Sequence, residues 1–380
     1  MRSHILLLAL LLTSCKATPR LNPHIPYEVL RESVDIPLTE QLGTIGEITF
    51  PDAGSGPHPT VLLLHDGGPQ DMDATLDGPA GTTRLFADLS TALSARGFAV
   101  IRYNKRHVSG PQKFDLPKFY TDQSTQVFRD DAAQVLDTLA QHPRVDADRI
   151  FVYGWSEGSV VAAALATERP TLAGVIVQGP IGEPYRELLA GWFDLAVPYL
   201  ERFTRDDRID GIELGLALRS AASEPVLLAS KMLAVSYTRH SEVAAPSPMV
   251  DINRDGRIDI SKELRPRIPD LIDLAFSPVG SLQSYSEDAM LPTVTEQAPK
   301  LTGIPVLVLQ GLNDAQTPPS NTDRIADALI IAQHPDFEIA RFRGLGHTLG
   351  RAPDPLDDFG RPMAPEAVET IARWLAAHAK

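Results

Sequence analysis

Ser156 lies between Gly154 and Gly158 in the stretch RIFVYGWSEGSVVAAALA, where an apolar run gives way to an alanine-rich one. A serine hydroxyl is a weak nucleophile at neutral pH. It needs a base, and the base needs a group that holds its tautomer. Two later stretches supply both: VLVLQGLNDAQTP puts Asp314 just past an apolar run, and ARFRGLGHTLG puts His347 in a glycine-flanked loop past the next one. Taken singly, each is ordinary, because G-x-S-x-G arises by chance, Asn-Asp is common turn chemistry and His347 is one of ten histidines. Taken in order, a hydroxyl, a carboxylate and an imidazole following successive strands compose an acyl-transfer apparatus.

The elements that must position these residues are read from hydrophobic periodicity. Val34 to Phe50 reads as two strands, TVLLLHDGGP as a buried strand ending at Asp66, and Thr83 to Arg96 as a helix. GFAVIRY, RIFVYGW, AGVIVQG, IPVLVLQG and FEIARFRG follow as strands, separated by helical patterns. Strand alternating with helix predicts an α/β fold with a mostly parallel sheet covered on both faces. Ser156 then sits on a sharp strand-to-helix turn at the carboxyl end of its strand, with the Glu157 amide opening the helix toward the same spot. Between Gln178 and Pro305 the alternation breaks, which predicts a large, mainly helical cap inserted between two sheet strands.

With these residues placed, the chain resembles the α/β-hydrolase superfamily, over about Val34 to Gly179 and Gly303 to the end. VLLLHDGGPQDMDATLDGP, RGFAVIRYNKR and GWSEGS look like a bacterial serine-esterase branch carrying G-S-G-P-Q-D-R-D, R-Y-D-K-R-G and G-H-S-E-G. The resemblance implies Ser156 as nucleophile, His347 as general base and acid, and Asp314 as its orienting carboxylate. It also implies an oxyanion hole from the Glu157 amide and that of Gly67 or Gly68. Trp155, Asn104 and His107 depart from the branch pattern and bear on the pocket wall and a neighbouring loop. RYNKRH reads either as a patch steering an anionic substrate or as a solvated basic loop. The Glu157 side chain reads as favoured by the helix dipole or as a second acid over the pocket.

The cap holds DINRDGRIDISKEL, which resembles an EF-hand calcium loop. Asp251, Asn253, Asp255, Arg257 through its carbonyl, and Asp259 fall at ligand positions. The twelfth position, where a bidentate carboxylate belongs, is Lys262, and Glu263 comes one residue late, so either a bend brings Glu263 in or Asp259 ligates directly. TRDDRIDGIEL echoes this loop, with Asp206, Asp210 and Glu213 at positions five, nine and twelve, Arg202 and Thr204 replacing the first two ligands, and reads as a degenerate partner. Calcium in the cap is therefore expected; catalysis needs no cofactor.

MRSHILLLALLLTSC resembles a lipoprotein signal ending in a lipobox, with the sole cysteine, Cys15, as the lipid-bearing residue. The expected organisation is a signal peptide at 1–14, a tether at 15–33, core at 34–179, cap at 180–302 and core again at 303–380. This places the chain in the cell envelope, attached to a membrane by its lipid. The net charge of −14 in 380 residues shows no basic patch for nucleic acid, and no protein partner is expected. Two function classes are open. One is a serine hydrolase on a small acyl substrate, with an ester favoured through the family likeness and peptidase or acyltransferase chemistry on the same apparatus. The other is a tethered, non-catalytic binding protein on a hydrolase scaffold.

Overall fold

A computed structural model describes residues 28–379 except 53–55, 123, 236, 238–241, 281 and 287–288. Cys15 and the expected signal peptide lie outside these residues. Eight strands form the central sheet: β1 (Val29–Pro37), β2 (Gly43–Pro51), β3 (His58–Leu64), β4 (Ala99–Tyr103), β5 (Val145–Trp155), β6 (Gly174–Gln178), β7 (Val306–Gly311) and β8 (Phe337–Phe342). Their spatial order is β1-β2-β4-β3-β5-β6-β7-β8. The β1–β2 and β2–β4 pairs are antiparallel, and every later pair is parallel.

Central strands β3, β4 and β6 are buried along their whole length, which is why they read as continuous apolar runs rather than as alternation. Helices α1 (Leu85–Ser94) and α9 (Pro365–His378) pack on one face through Phe86, Leu89, Ile371 and Trp374. On the other face lie α2 (Thr125–Leu139), α3 (Glu157–Glu168) and α8 (Ser320–Ile331), contributing Phe128, Val135, Val161, Leu165, Ile325 and Leu329. Helix α3 is buried all round from Glu157 to Ala166, so its sequence shows almost no amphipathic stripe.

Between β6 and β7 come α4 (Tyr185–Glu201), α5 (Gly211–Arg219), α6 (Glu224–Lys231) and α7 (Arg265–Ala275). They enclose a hydrophobic cluster of their own, with Phe193, Val197, Leu214, Val226 and Leu271 at its centre. Two details differ from the sequence reading. The expected tether overlaps β1, whose edge position leaves Leu30 to Ser33 exposed and hides the strand pattern before Val34. The insertion, read as mainly helical, also contains Arg208–Asp210 paired antiparallel with Arg257–Asp259, each having only one central isoleucine to mark it. No helix among the described residues is long and apolar enough to cross a membrane.

Candidate active site

Ser156 joins β5 to α3 at φ 54° and ψ −117°, a strained conformation for a residue with a side chain. Its amide donates to the Gln178 carbonyl at 2.9 Å, fixing the turn against β6. The two glycines are there because backbone passes too close for side chains. A Cβ at Gly154 would run into the Gly158 carbonyl, and one at Gly158 into the carbonyls of Leu64 and His65.

Asp314 follows β7 and His347 follows β8, and the structure brings them together. Nδ1 of His347 donates to Asp314 at 2.9 Å to Oδ2 and 3.1 Å to Oδ1. Asp314 is further held by the amides of Gln316 and Thr317, both at 2.9 Å, and by the Thr317 hydroxyl at 2.8 Å. Asp358 ties the two loops to each other, since its Oδ2 accepts from the His347 amide at 2.8 Å and the Ala315 amide at 3.2 Å. Burial, followed by repulsion from Asp314, pushes the Asp358 carboxyl up to about 6. The His347 carbonyl accepts from Trp155 Nε1 at 3.2 Å and Gln178 Nε2 at 2.9 Å. Trp155 is thus a buried support of the histidine loop and not a pocket-wall residue, and Asn104 is equally structural, its Oδ1 accepting from the Met72 amide at 2.8 Å.

Nε2 of His347 does not hydrogen-bond Ser156, nor any other described residue. It faces Asp66 Oδ2 at 3.7 Å, an ion-pair contact too long for a hydrogen bond. Asp66 also accepts from the Gly67 amide through Oδ1 at 2.6 Å and from Gln316 Nε2 through Oδ2 at 2.9 Å, and that same Gln316 nitrogen lies 3.3 Å from Ser156 Oγ. Burial opposes the charge on Asp66, but His347, the Ser156 hydroxyl and the Gly67 amide together hold its pKa at about 2. Burial likewise works against the imidazolium, and Asp314 with Asp66 outweighs it, raising His347 well above 6.5. Of the expected oxyanion donors, Glu157 opens α3, Gly68 lies in the turn at φ 77°, and the Gly67 amide is engaged by Asp66.

The RYNKRH loop is neither solvated nor free to steer a substrate. Lys105 is buried, donating to Glu157 Oε1 at 3.0 Å and to the Asp66 carbonyl at 2.5 Å, with its ammonium 4.3 Å above the Phe128 ring. It pins the Asp66 turn to α3, and Glu157 answers its charge. Arg106 forks onto Asp131 at 2.6 and 2.8 Å, and His107 meets Asp122 at 2.7 Å. From the insertion, Tyr285 reaches Glu157, and burial with that carboxylate raises its phenol pKa well above the ordinary value.

Asp66, Gln316, Asp358 and the Lys105–Glu157 pair did not emerge from the sequence as site residues. For Asp66 a signal existed: the branch pattern G-S-G-P-Q-D-R-D, laid over Asp66 to Asp73, has glycine where this chain has a carboxylate. Asp358 and Gln316 carry no motif.

In the calcium-like loop, Asp251 accepts from the amides of Asp255 at 3.2 Å and Gly256 at 3.0 Å, and Asn253 from Asp255 at 2.8 Å. A single π-helical turn, Ile260–Leu264, absorbs the extra residue and swings Glu263 inward, where it accepts from the amides of Ile252, Asn253 and Asp259 at 3.1, 3.2 and 2.9 Å. Asp259 lies 3.5 Å from Lys262 and 3.7 Å from Arg208, which also lies 3.6 Å from Asp255. Among the described residues no group of three or more His, Cys, Asp or Glu side chains gathers as metal ligands. The echo loop pairs with this one through Ile209 and Ile258. Its Asp206 takes Arg257, while Asp210 and Glu213 form a helix capping box.

Residues 74–245 match the family model described as serine aminopeptidase, S33. Over 147 residues the chain is 35% identical to esterase EstD of Thermotoga maritima, an overlap of 39% of this chain and 32% of that protein, so about a third of the relative's length is matched. An uncharacterized Mycobacterium tuberculosis protein is 25% identical over 226 residues, 57% of this chain and 72% of its own. Among solved structures, the acylaminoacyl peptidase of Pyrococcus horikoshii aligns with a TM-score of 0.53 at 13% identity, over 93% of this chain and 42% of that one. A hypothetical protein of Pseudomonas aeruginosa aligns at 0.51 and 13%, over 93% and 95%. The chain has the α/β-hydrolase fold, with its mostly parallel sheet flanked by helices.

Proposed function

We propose that this chain is a serine hydrolase that cleaves an ester of a small acyl substrate through Ser156, His347 and Asp314. The observation that carries the reading is the strained turn at Ser156, linked through the Gln316 amide and the Asp66 carboxylate to an imidazole bound to the buried Asp314. In turnover Ser156 Oγ attacks the acyl carbon as His347 Nε2 takes its proton, and Asp314 stabilises the imidazolium on Nδ1. The Glu157 amide at the start of α3 and the Gly67 amide, once released by Asp66, stabilise the tetrahedral oxyanion. His347 then protonates the leaving alcohol, and water repeats the sequence on the acyl-enzyme.

Hydrolysis of short-chain nitrophenyl esters by the wild type and by Ser156→Ala tests this. Turnover lost in the variant supports it, and turnover unaffected by the substitution overturns it. Peptide hydrolysis on the same residues is the second reading, favoured by the match to the serine aminopeptidase model. Aminoacyl nitroanilides run beside the esters separate the two. A scaffold that only binds would leave both substrate sets uncut.

For the cap we propose a calcium loop held by Asp251, Asn253, Asp255, the Arg257 carbonyl, Asp259 and Glu263. The inward turn of Glu263 supports it; the carboxylates do not gather as ligands in this structure, and Asp255 and Asp259 face cations, so calcium must draw the ligands together and displace those cations, which implies low affinity. Calorimetry with calcium, before and after Asp255→Ala, is the test; equal heats would end the proposal. For the leader we keep lipidation of Cys15 and a place in the cell envelope as a proposal, to be read from the mass of the processed N-terminus.

A further inference from the structure

A serine hydrolase needs its base facing the nucleophile and its oxyanion amides free, and here one carboxylate interferes with both. Asp66 Oδ1 takes the Gly67 amide at 2.6 Å, and Oδ2 takes Gln316 Nε2 at 2.9 Å and faces His347 Nε2 at 3.7 Å. The Gln316 amide bridges this carboxylate to Ser156 Oγ, 3.3 Å away. The arrangement is anchored, because Lys105 holds the Asp66 carbonyl and the Asp314 loop fixes Gln316 through its amide at 2.9 Å.

We propose that Asp66 is a positioning residue that sets the resting state of the site: its carboxylate stands in for an oxyanion on the Gly67 amide and draws Nε2 of His347 to itself and away from Ser156. This rests on the serine-hydrolase reading and deepens it. A carboxylate beside a positively charged imidazole stabilises the protonated ring, so the base is withheld until the pH is high enough to strip its proton or substrate displaces Asp66. The groups facing His347 are Asp314 on Nδ1 after β7, Asp66 on Nε2 after β3, Asp358 on its amide, and Glu224 from α6, whose charge Lys231 on the same helix partly answers. Of these, Asp66 is the carboxylate that competes directly with the nucleophile for the ring nitrogen.

Asp66→Asn removes the charge and keeps an acceptor for the Gly67 amide; Asp66→Gly clears both. With a neutral short-chain ester, the acid limb of the kcat/KM pH profile is expected to move to lower pH by about one unit or more in each variant, with activity at pH 6 rising roughly tenfold. A purely structural role would lower turnover without moving the limb, and a limb that stays in place in both variants overturns the proposal.

A second measurement does not depend on turnover. In the Ser156→Ala protein, the nitrogen resonances of His347 followed by NMR should titrate at lower pH once Asp66→Asn is added. An unmoved titration overturns the proposal. If no acyl substrate is cleaved and the titration still shifts, the hydrolase reading fails while the Asp66–His347 pairing stands. If esters are cleaved and neither limb nor titration moves, Asp66 has no such role.

Discussion

The site at the strand ends and the calcium-like loop in the insertion assemble polar groups in opposite ways. Ser156, Asp314 and His347 come from three loops far apart in sequence, and the sheet does the gathering: β5, β7 and β8 bring their ends to one edge. The loop from Asp251 to Glu263 draws its oxygens from one contiguous segment whose own amides orient them. The distributed arrangement tolerates loop variation but depends on bracing such as Asp358, which ties the Asp314 and His347 loops together. The contiguous arrangement survives an inserted residue by a local π-helical turn.

Substitutions at the distributed site should act mainly on rate, and those in the loop mainly on stability. On the proposed mechanism, His347→Ala should lower kcat by about a thousandfold or more, measured on the same esters, because a base and the nucleophile it serves act as a unit. Glu263→Ala leaves the Ile252, Asn253 and Asp259 amides without their acceptor and should destabilise the protein by about 3 kcal/mol in chemical denaturation, at roughly 1 kcal/mol or more for each orphaned donor. If Glu263→Ala unfolds at the wild-type midpoint, the inward turn does not matter. Asp358→Ala frees the Asp314 and His347 loops and should cut kcat about tenfold with little change in KM; equal effects on both would point to general disorder instead.

The smallest effect concerns pH. Since His347 is raised above 6.5, the ring is protonated below its raised pKa and cannot serve as base, so kcat/KM should fall as pH drops through a value above 6.5. A profile flat down to pH 5 would mean that the ring titrates elsewhere. The same shift bears on folding: a raised imidazole contributes stability that is present below the unfolded pKa and is lost as pH rises through the folded one.

Sequence made the strand order of types, the elbow and the residues Ser156, Asp314 and His347 legible, because buried parallel strands read as apolar runs and the elbow needs glycine at fixed offsets. It did not reveal Asp66 as the partner of His347, since an aspartate ending a strand also reads as an ordinary turn residue. The loop around Lys105 reads as solvated or steering because a lysine in a charged stretch gives no sign that Glu157 pairs with it in the interior. Asp358 reaches the site only through the path of the loop after β8, which no local spacing encodes.

The most direct test of the central claim is covalent. The intact protein is treated with a fluorophosphonate and the modified residue located by mass spectrometry, in the wild type, Ser156→Ala and His347→Ala. A single label on Ser156, absent from Ser156→Ala and strongly slowed in His347→Ala, is the expected result. A label on another residue, or equal labelling of Ser156→Ala, would contradict the assignment of Ser156 as a nucleophile served by His347.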